Sequence, residues 1–197
     1  MTPDWAGETA VLVGSGPSLT PVQACATCGR ARVLAVNDSW RAVPWADLLY
    51  ACDGKWWDAH QGVPGFPGAK WTQDAGAAAR WALRFVKSEN PPGMSRDPAV
   101  VHQGGTSGYQ ALNLALHLGA RRILLVGYDY SKGHWFGDHP PPLNNTEFGE
   151  RAKSFERAAV DIREHWPGVE VVNCTPGSAI DAFGRGEIGE ELTKAGR

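Results

Sequence analysis

Short apolar runs, separated by glycine-rich or polar turns and by helical stretches, constrain the fold of this chain more than any other feature. The runs cover residues 10–13, 32–36, 47–52, 99–102, 122–126 and 169–172. They are rich in Val, Leu and Ile and mostly do not alternate with polar residues, which is typical of parallel strands covered on both faces. Their alternation with helices predicts an α/β fold, a single Rossmann-like domain with a mostly parallel sheet flanked by helices.

The pattern predicts three main helices. Residues 107–118 are apolar nearly all round and precede Gly119, which predicts a buried helix with a glycine cap. Residues 146–165 are amphipathic, and a shorter helical stretch covers 75–86. This shorter helix lies in a Pro/Gly-rich stretch at about 62–98, which we interpret as an insert that forms a lid or a variable wall over the site.

The composition is that of an ordinary globular protein. The chain has 197 residues, of which 43% are hydrophobic and 20% charged, so we expect one nucleotide-binding α/β domain over 1–197. A formal net charge of -2 argues against a broad nucleic-acid-binding face. No apolar run reaches the ~18 residues of a membrane span, and no signal-peptide pattern opens the chain, so we expect no membrane span and a cytoplasmic location.

The cysteines do not indicate a disulfide framework. The chain contains four, at positions 25, 28, 52 and 174, which are too few and too scattered for one. Cys25 and Cys28 form a CxxC pair, but a zinc site needs further ligands at related spacing. Two surface thiols are the simpler interpretation.

Polar and glycine residues follow several of the predicted strands. Ligands of open α/β sheets bind beyond the carboxyl ends of the strands, so these residues form a candidate nucleotide site. The candidates found in this way are Gly14, Ser15, Gly16, Ser18, Asn37, Asp53, Thr106, Ser107, Gly108 and Asp129.

Two glycine-rich loops stand out among these segments. The loop 14–18 can bring backbone N–H groups against a phosphate, with Ser18 at the start of a helix, although a plain tight turn is the alternative. The loop 104–108 opens the buried helix, whose positive end favours an anion, and Thr106 and Ser107 can donate from their hydroxyls. The alternative there is an ordinary N-cap by one of these two residues.

A third segment, residues 132–145, carries titratable side chains in an unusually apolar loop. His134, Asp138 and His139 lie among Trp and Phe residues and a run of prolines, which is typical of a fixed active-site loop. His139 precedes a proline and has Asp138 beside it, so it suits orienting the loop or contacting an acceptor. A metal site made by His134, Asp138 and His139 and a pair of stacked structural histidines are the alternatives.

In their order along the chain, these motifs resemble those of bacterial sialyltransferases of the Campylobacter type. The similar segments are Gly14–Leu19, Val36–Asp38, Thr106–Gly108, Arg122–Asp129, His134–Gly137 and Cys174–Ser178. The same features occur in a wider group that contains motility-associated glycosyltransferases and pterin diphosphokinase-like proteins. Short uncharacterised proteins of phages and prophages are also similar.

The resemblance implies an enzyme that moves a sugar from a nucleotide donor to an acceptor hydroxyl. It implies that His134 removes the acceptor proton, that Tyr130 steadies the leaving group, and that Ser178 belongs to the nucleotide site. His139 completes the catalytic set. The implied partners are a nucleotide or nucleotide-sugar and an acceptor that is either a glycan or a modified base, and association into a homo-oligomer stays open.

The sequence contains no Asp-x-Asp pair of the kind that holds a divalent ion in many glycosyltransferases. We therefore expect no metal and no cofactor beyond the nucleotide-sugar co-substrate, with hydroxyls and helix N–H groups stabilising the leaving phosphate. One alternative is an ATP- and Mg²⁺-dependent pyrophosphokinase-like enzyme with Asp53 and Asp129 as metal ligands. Another is a non-catalytic protein of phage origin that sequesters a nucleotide.

Overall fold

The computed structural model of the protein describes residues 4–131, 133–141, 143 and 149–194. The strands β1 to β10 are Thr9–Val13, Arg32–Val36, Leu48–Tyr50, Ala69–Thr72, Arg84–Phe85, Lys87–Glu89, Val100–His102, Arg122–Val126, Glu170–Asn173 and Gly184–Arg185. The helices α1 to α7 are Pro21–Ala26, Gly54–Ala59, Ala75–Trp81, Ser107–His117, Gly149–Ala152, Ser154–His165 and Ile188–Lys194. A 3₁₀ helix covers Asn37–Arg41, directly after β2.

Eight of these strands form one parallel sheet in the order β10-β9-β8-β1-β2-β3-β4-β5. Strand β1 lies between β2 and β8. Strands β2 to β5 are added one after another on one side of β1, and β8, β9 and β10 are added later on its other side. The strand order therefore reverses between β1 and β8, where open α/β sheets bind their ligands. Strands β6 and β7 form a separate parallel pair. The predicted fold class is confirmed.

The core consists of two apolar clusters on the opposite faces of this sheet. In β1, Ala10 and Leu12 belong to one cluster, while Val11 and Val13 belong to the other. All four side chains are fully buried, so neither face of the strand needs polar residues. Burial on both faces explains why the apolar runs of the sequence do not alternate.

Helix α4 is buried over almost its whole length, as its apolar sequence predicts. Its polar residue Asn113 is satisfied within the core, because the side-chain carbonyl accepts hydrogen bonds from the backbone N–H groups of Ser95 and His102 at 2.9 and 3.0 Å. The helix ends before Gly119, which adopts a left-handed φ of 86°. The amino end of this long, buried helix thus points toward the carboxyl edge of the sheet.

Two of the predicted helices differ from those observed. The one expected over 75–86 ends at Trp81, because Ala82 turns into the left-handed region with a φ of 52° and β5 begins two residues later. The one expected over 146–165 is divided into α5 and α6, with the break at Lys153. Residues 146–148 of that prediction lie outside the described residues.

The Pro/Gly-rich stretch 62–98 contains β4, α3, β5 and β6. Strands β4 and β5 extend the main sheet on the side away from β8, and β6 pairs with β7. Among the described residues, this stretch supplies none of those that line the cavity discussed below, and its role as a lid or a variable wall stays a prediction. Every helix in the described part of the chain is too short or too polar to span a membrane.

Candidate functional site

A cavity of about 240 Å³ opens at the carboxyl edge of the sheet, next to the reversal point between β1 and β8. Its walls come from the segments that follow β1, β2, β3 and β8, from α2, α5 and the amino end of α4, and from residues 133, 134, 139 and 143. The cavity-lining residues that sequence analysis singled out are Gly14, Ser15, Gly16, Asn37, Asp53, Thr106, Ser107, Gly108, Asp129, Tyr130, His134 and His139. Segments far apart in sequence are thus brought to one place.

Ser18 and Ser178, which were also predicted as nucleotide-binding residues, do not line this cavity. Ser18 donates from its backbone N–H and its hydroxyl to the two carboxylate oxygens of Asp129, at 3.1 and 2.9 Å. Ser178 is buried, and its hydroxyl donates to the backbone carbonyl of Tyr128 at 2.6 Å. Both serines tie the segment after β8 in place. Ser18 is also not at a helix start, since α1 is capped by Thr20.

The glycines after β1 are needed for close packing against the segment after β8. The backbone N–H of Gly14 donates to Val126 and that of Gly16 to Gly127, both at 2.8 Å. A Cβ on Gly14 would lie 2.5 Å from the carbonyl oxygen of Gly127, a distance that no real side chain tolerates. These two N–H groups are therefore occupied within the protein. Binding of a phosphate by the loop 14–18 stays a prediction.

The amino end of α4 fits an anion better than the loop after β1. The first N–H groups of a helix have no partner within it, and the helix dipole adds a partial positive charge there. Thr106 is the N-cap and accepts from the backbone N–H of Tyr109 at 3.1 Å. The hydroxyl of Ser107 donates to the thiol sulfur of Cys52 at 3.1 Å. The N-cap interpretation is thus correct, and the capped helix end lines the cavity as well.

Arg151 is a cavity-lining residue that sequence analysis missed. It lies on α5, and its guanidinium donates to the backbone carbonyl of Gly105 at 2.5 Å. Of the lining residues that the structure describes, Arg151 is the only lysine or arginine. In the sequence it resembles any charged residue of a solvated helix face, and only the return of α5 to the loop before α4 places it here.

Two of the cavity-lining residues, Tyr130 and Asn37, adopt the left-handed backbone conformation, with φ values of 53° and 51°. Asn adopts this conformation readily, but for a tyrosine it is uncommon and costs about 1–3 kcal/mol, which the surrounding structure must offset. The Tyr130 ring packs edge-on against Phe155, and its hydroxyl is 2.5 Å from that of Thr106. Burial raises the pKa of Tyr130 above its ordinary value, so the phenol stays protonated and can donate.

The two histidines of the predicted loop lie side by side at the cavity. The His134 ring stacks on Phe136 at 5.0 Å, and its centroid is 4.7 Å from that of His139. The backbone N–H of Trp135 donates to the carbonyl of Ser15 at 3.1 Å, which fixes the loop to the segment after β1. Burial lowers the pKa of both His134 and His139, so both imidazoles are neutral at pH 7.

The carboxylate beside His139 is that of Asp38, and the sequence-based expectation of Asp138 is wrong. Asp138 is exposed, whereas Asp38 is 2% exposed and has an oxygen 3.6 Å from Nδ1 of His139. Burial alone would raise the pKa of Asp38, but hydrogen bonds from His60 and Trp56 hold it below its usual value. Sequence separation hid this contact, because Asp38 follows β2 and His139 follows β8.

The set of three metal ligands suggested by the sequence is not assembled in the described residues. Within the described residues, the set of three side chains close enough to share one ion is Asp161, Glu164 and His165 on α6. His134, Asp138 and His139 do not form such a set. The alternative in which Asp53 and Asp129 bind a metal stays a prediction; Asp129 accepts two hydrogen bonds from Ser18.

Asp53 lines the cavity but also caps α2, accepting from the backbone N–H of Lys55 at 2.9 Å. The cysteines are free thiols, and Cys25 and Cys28 are exposed, in agreement with the surface-thiol interpretation.

In sequence, the chain matches no protein-family model and no curated protein. In structure it is similar to the MAf glycosyltransferase of Magnetospirillum magneticum AMB-1, with a TM-score of 0.66 at 16% identity over 95% of this chain. It has a glycosyltransferase-like fold. The match covers 34% of the MAf chain, so this protein spans about a third of that enzyme's length.

The fold is also similar to that of the sialyltransferase CstII from Campylobacter jejuni, which was solved with the substrate analogue cytidine-5'-monophosphate. That match has a TM-score of 0.57 at 10% identity and covers 93% of this chain and 87% of CstII. The predicted resemblance to sialyltransferases and motility-associated glycosyltransferases is confirmed at the level of the fold. The resemblance to phage proteins stays a prediction.

Proposed function

We propose that this protein transfers a glycosyl group from a nucleotide donor to an acceptor hydroxyl, without the help of a metal ion. The observation that carries the proposal is the shared cavity, where the amino end of α4 and Arg151 face the same space as His134 and His139. One side of the cavity suits a phosphate, and the other offers a neutral base. The named activities of the two structural neighbours and the nucleotide bound to CstII support it.

In this proposal the amino end of α4 binds the donor phosphate. When the bond between the anomeric carbon and the phosphate oxygen breaks, negative charge develops on the departing nucleotide. The helix dipole, the Arg151 guanidinium and the paired hydroxyls of Thr106 and Tyr130 are positioned in the same wall to stabilise that charge. The nucleotide itself lies toward Ser15 and Asn37.

His134 acts as the general base. Its imidazole accepts the proton of the acceptor hydroxyl while that oxygen forms the new bond to the anomeric carbon. Because burial lowers the pKa of His134, the ring is unprotonated at neutral pH and ready to accept. The acceptor, a glycan or a modified base, approaches from the side of the histidine loop.

A thermal-shift panel of CMP, UDP, GDP, ADP and ATP, each with and without Mg²⁺, tests the binding half of the proposal. A nucleotide at 100 times its Kd should add about 2.7 kcal/mol of stability, and Mg²⁺ should not be required. A panel without any shift contradicts the proposal.

For each nucleotide that binds, the corresponding nucleotide-sugars are then assayed for turnover. Stabilisation by ATP that depends on Mg²⁺ would instead favour the pyrophosphokinase-like alternative. Tight binding without hydrolysis or transfer of any matching nucleotide-sugar would favour the sequestering protein.

A further inference from the structure

We infer that Asp38 is the positioning residue of the histidine pair: its buried carboxylate fixes the His139 ring, and His139 in turn supports His134. The catalytic meaning of this inference rests on the proposed function. The contacts that carry it do not, since they are properties of the ligand-free protein. No sequence motif predicted this role, because Asp38 comes from the 3₁₀ helix after β2 and the histidines from the loop after β8.

Asp38 lies at the centre of a buried charge network. One of its oxygens accepts from Nε2 of His60 at 3.1 Å and pairs with the Arg41 guanidinium at 2.8 Å. The other accepts from Nε1 of Trp56 at 2.8 Å and lies 3.6 Å from Nδ1 of His139. Four side chains from three segments therefore fix the position of this carboxylate.

The Asp38 carboxylate approaches one particular nitrogen of His139, at a distance longer than a hydrogen bond. The carboxylate faces Nδ1, so Nε2 is the nitrogen on the opposite side of the ring. The His139 ring packs edge-on against His134 at 4.7 Å, and Phe136 contacts both rings at 5.0 Å. With Asp38 on one side and an aromatic neighbour on another, His139 has little freedom to turn. It forms one wall of the space that the His134 ring occupies.

The charges around Asp38 explain how it can orient His139 without protonating it. His60 has an oxygen acceptor at each ring nitrogen, Asp38 at Nε2 and the Trp56 carbonyl at Nδ1, which favours the charged imidazolium. Burial alone would lower the pKa of His60, but these two hydrogen bonds raise it above its ordinary value. Arg41, together with His60 in its protonated form, thus neutralises Asp38.

The groups that face His139 act on its pKa in opposite directions. Burial lowers the pKa, as do the nearby His134, His60 and Arg41, and the Asp38 carboxylate raises it. Asp138, adjacent in sequence but exposed, is not among the groups that shift it. If the Asp38 charge is removed, the remaining neighbours all oppose protonation of His139.

The test is an NMR titration of the histidine rings in the ligand-free full chain, comparing D38N with the matched control D138N. We expect the proton affinity of His139 to fall about tenfold or more in D38N, as for the loss of an opposite charge at this distance. It should be unchanged in D138N. A purely structural role would change the unfolding midpoint of D38N and leave the His139 titration in place.

A second variant, R41Q, keeps the test decisive if D38N does not fold, because the Arg41 side chain is 42% exposed. Arg41 lowers the pKa of His139 directly and also neutralises Asp38, so on both grounds His139 should titrate at higher pH in R41Q. An unchanged His139 titration in folded D38N overturns the inference, and so does an unchanged one in R41Q. A shifted titration together with unaltered pH dependence of donor turnover retains the role of Asp38 but contradicts the proposed histidine chemistry.

Discussion

The two sides of the cavity are held together by different forces. The glycine half consists of the segments 14–16 and 127–131 and the amino end of α4; the histidine half consists of the 3₁₀ helix 37–41, α2 and the loop 133–139. Backbone atoms in close contact fix the glycine half, with Gly14 and Gly16 donating to the strand beside them. Buried charges and aromatic rings fix the histidine half. Substitutions of Gly14 and Gly16 should therefore act on folding, and those of His134 and His139 on chemistry.

The largest expected effect is on turnover, from His134→Ala in the histidine half. Loss of a general base typically lowers the rate about 10²–10⁴-fold, which corresponds to about 2.7–5.4 kcal/mol of transition-state stabilisation. Nucleotide affinity should barely change, because the phosphate side of the cavity is untouched. Slow hydrolysis of a nucleotide-sugar serves as the assay until the acceptor is known.

His139→Ala is the matched variant for this measurement. It should lose less turnover and more acceptor affinity, since it supports the loop and does not itself take the proton. Near-normal turnover by folded His134→Ala would refute the general-base mechanism.

The next effect is on stability, from Gly16→Ala in the glycine half. The new methyl group would overlap the Asp129 carboxylate and lie 2.7 Å from the carbonyl oxygen of Gly127. Overpacking of this kind costs about 1–3 kcal/mol, measured as the free energy of unfolding in urea. Gly65→Ala is the control, because nothing lies within 4 Å of a Cβ there. Equal unfolding midpoints for the two variants would show that the segments after β1 and β8 are not rigidly packed.

Arg151→Ala should weaken nucleotide binding about tenfold, close to the contribution of one hydrogen bond to a charged group. The loss should shrink at high salt, since the guanidinium is partly exposed. Lys153→Ala removes an exposed charge two residues away and should leave affinity unchanged. If both variants bind equally well, Arg151 does not contact the phosphate.

The smallest effect is the pH dependence of stability. Burial lowers the pKa of His117, His134 and His139, so between their folded values and about 6.5 the unfolded chain binds more protons than the native one. Stability should therefore decline as the pH falls below about 6.5. His60, whose pKa is raised by its hydrogen bonds, acts in the opposite direction and is most stabilising below that pH.

Unfolding in urea at pH 7.5 and 5.5 measures this dependence. His60→Gln should make the decline steeper, because it removes the opposing group, and His117→Gln should make it shallower. A free energy of unfolding that rises on acidification would contradict the lowered pKa values of His117, His134 and His139.

Some elements of the fold could be predicted from the sequence, and others could not. Runs such as Arg32–Val36 and Arg122–Val126 were placed within a residue, because continuous apolar character is a local property of a strand buried on both faces. The burial of α4 and its glycine cap followed in the same way. Strands β4, β5, β6 and β10 were missed, since they are short, partly exposed and defined only by the neighbour with which they pair.

The sequence by itself thus determined the parallel α/β sheet, the long buried helix and the edge at which polar segments gather, because periodicity and capping act over a few residues. Only the tertiary structure decided that Gly16 packs against Gly127, and that Arg151 reaches the loop before α4. It also placed Asp38, and not Asp138, beside His139. Such contacts depend on which strands are neighbours in the sheet and where the loops between them return, and no local pattern of residues encodes that.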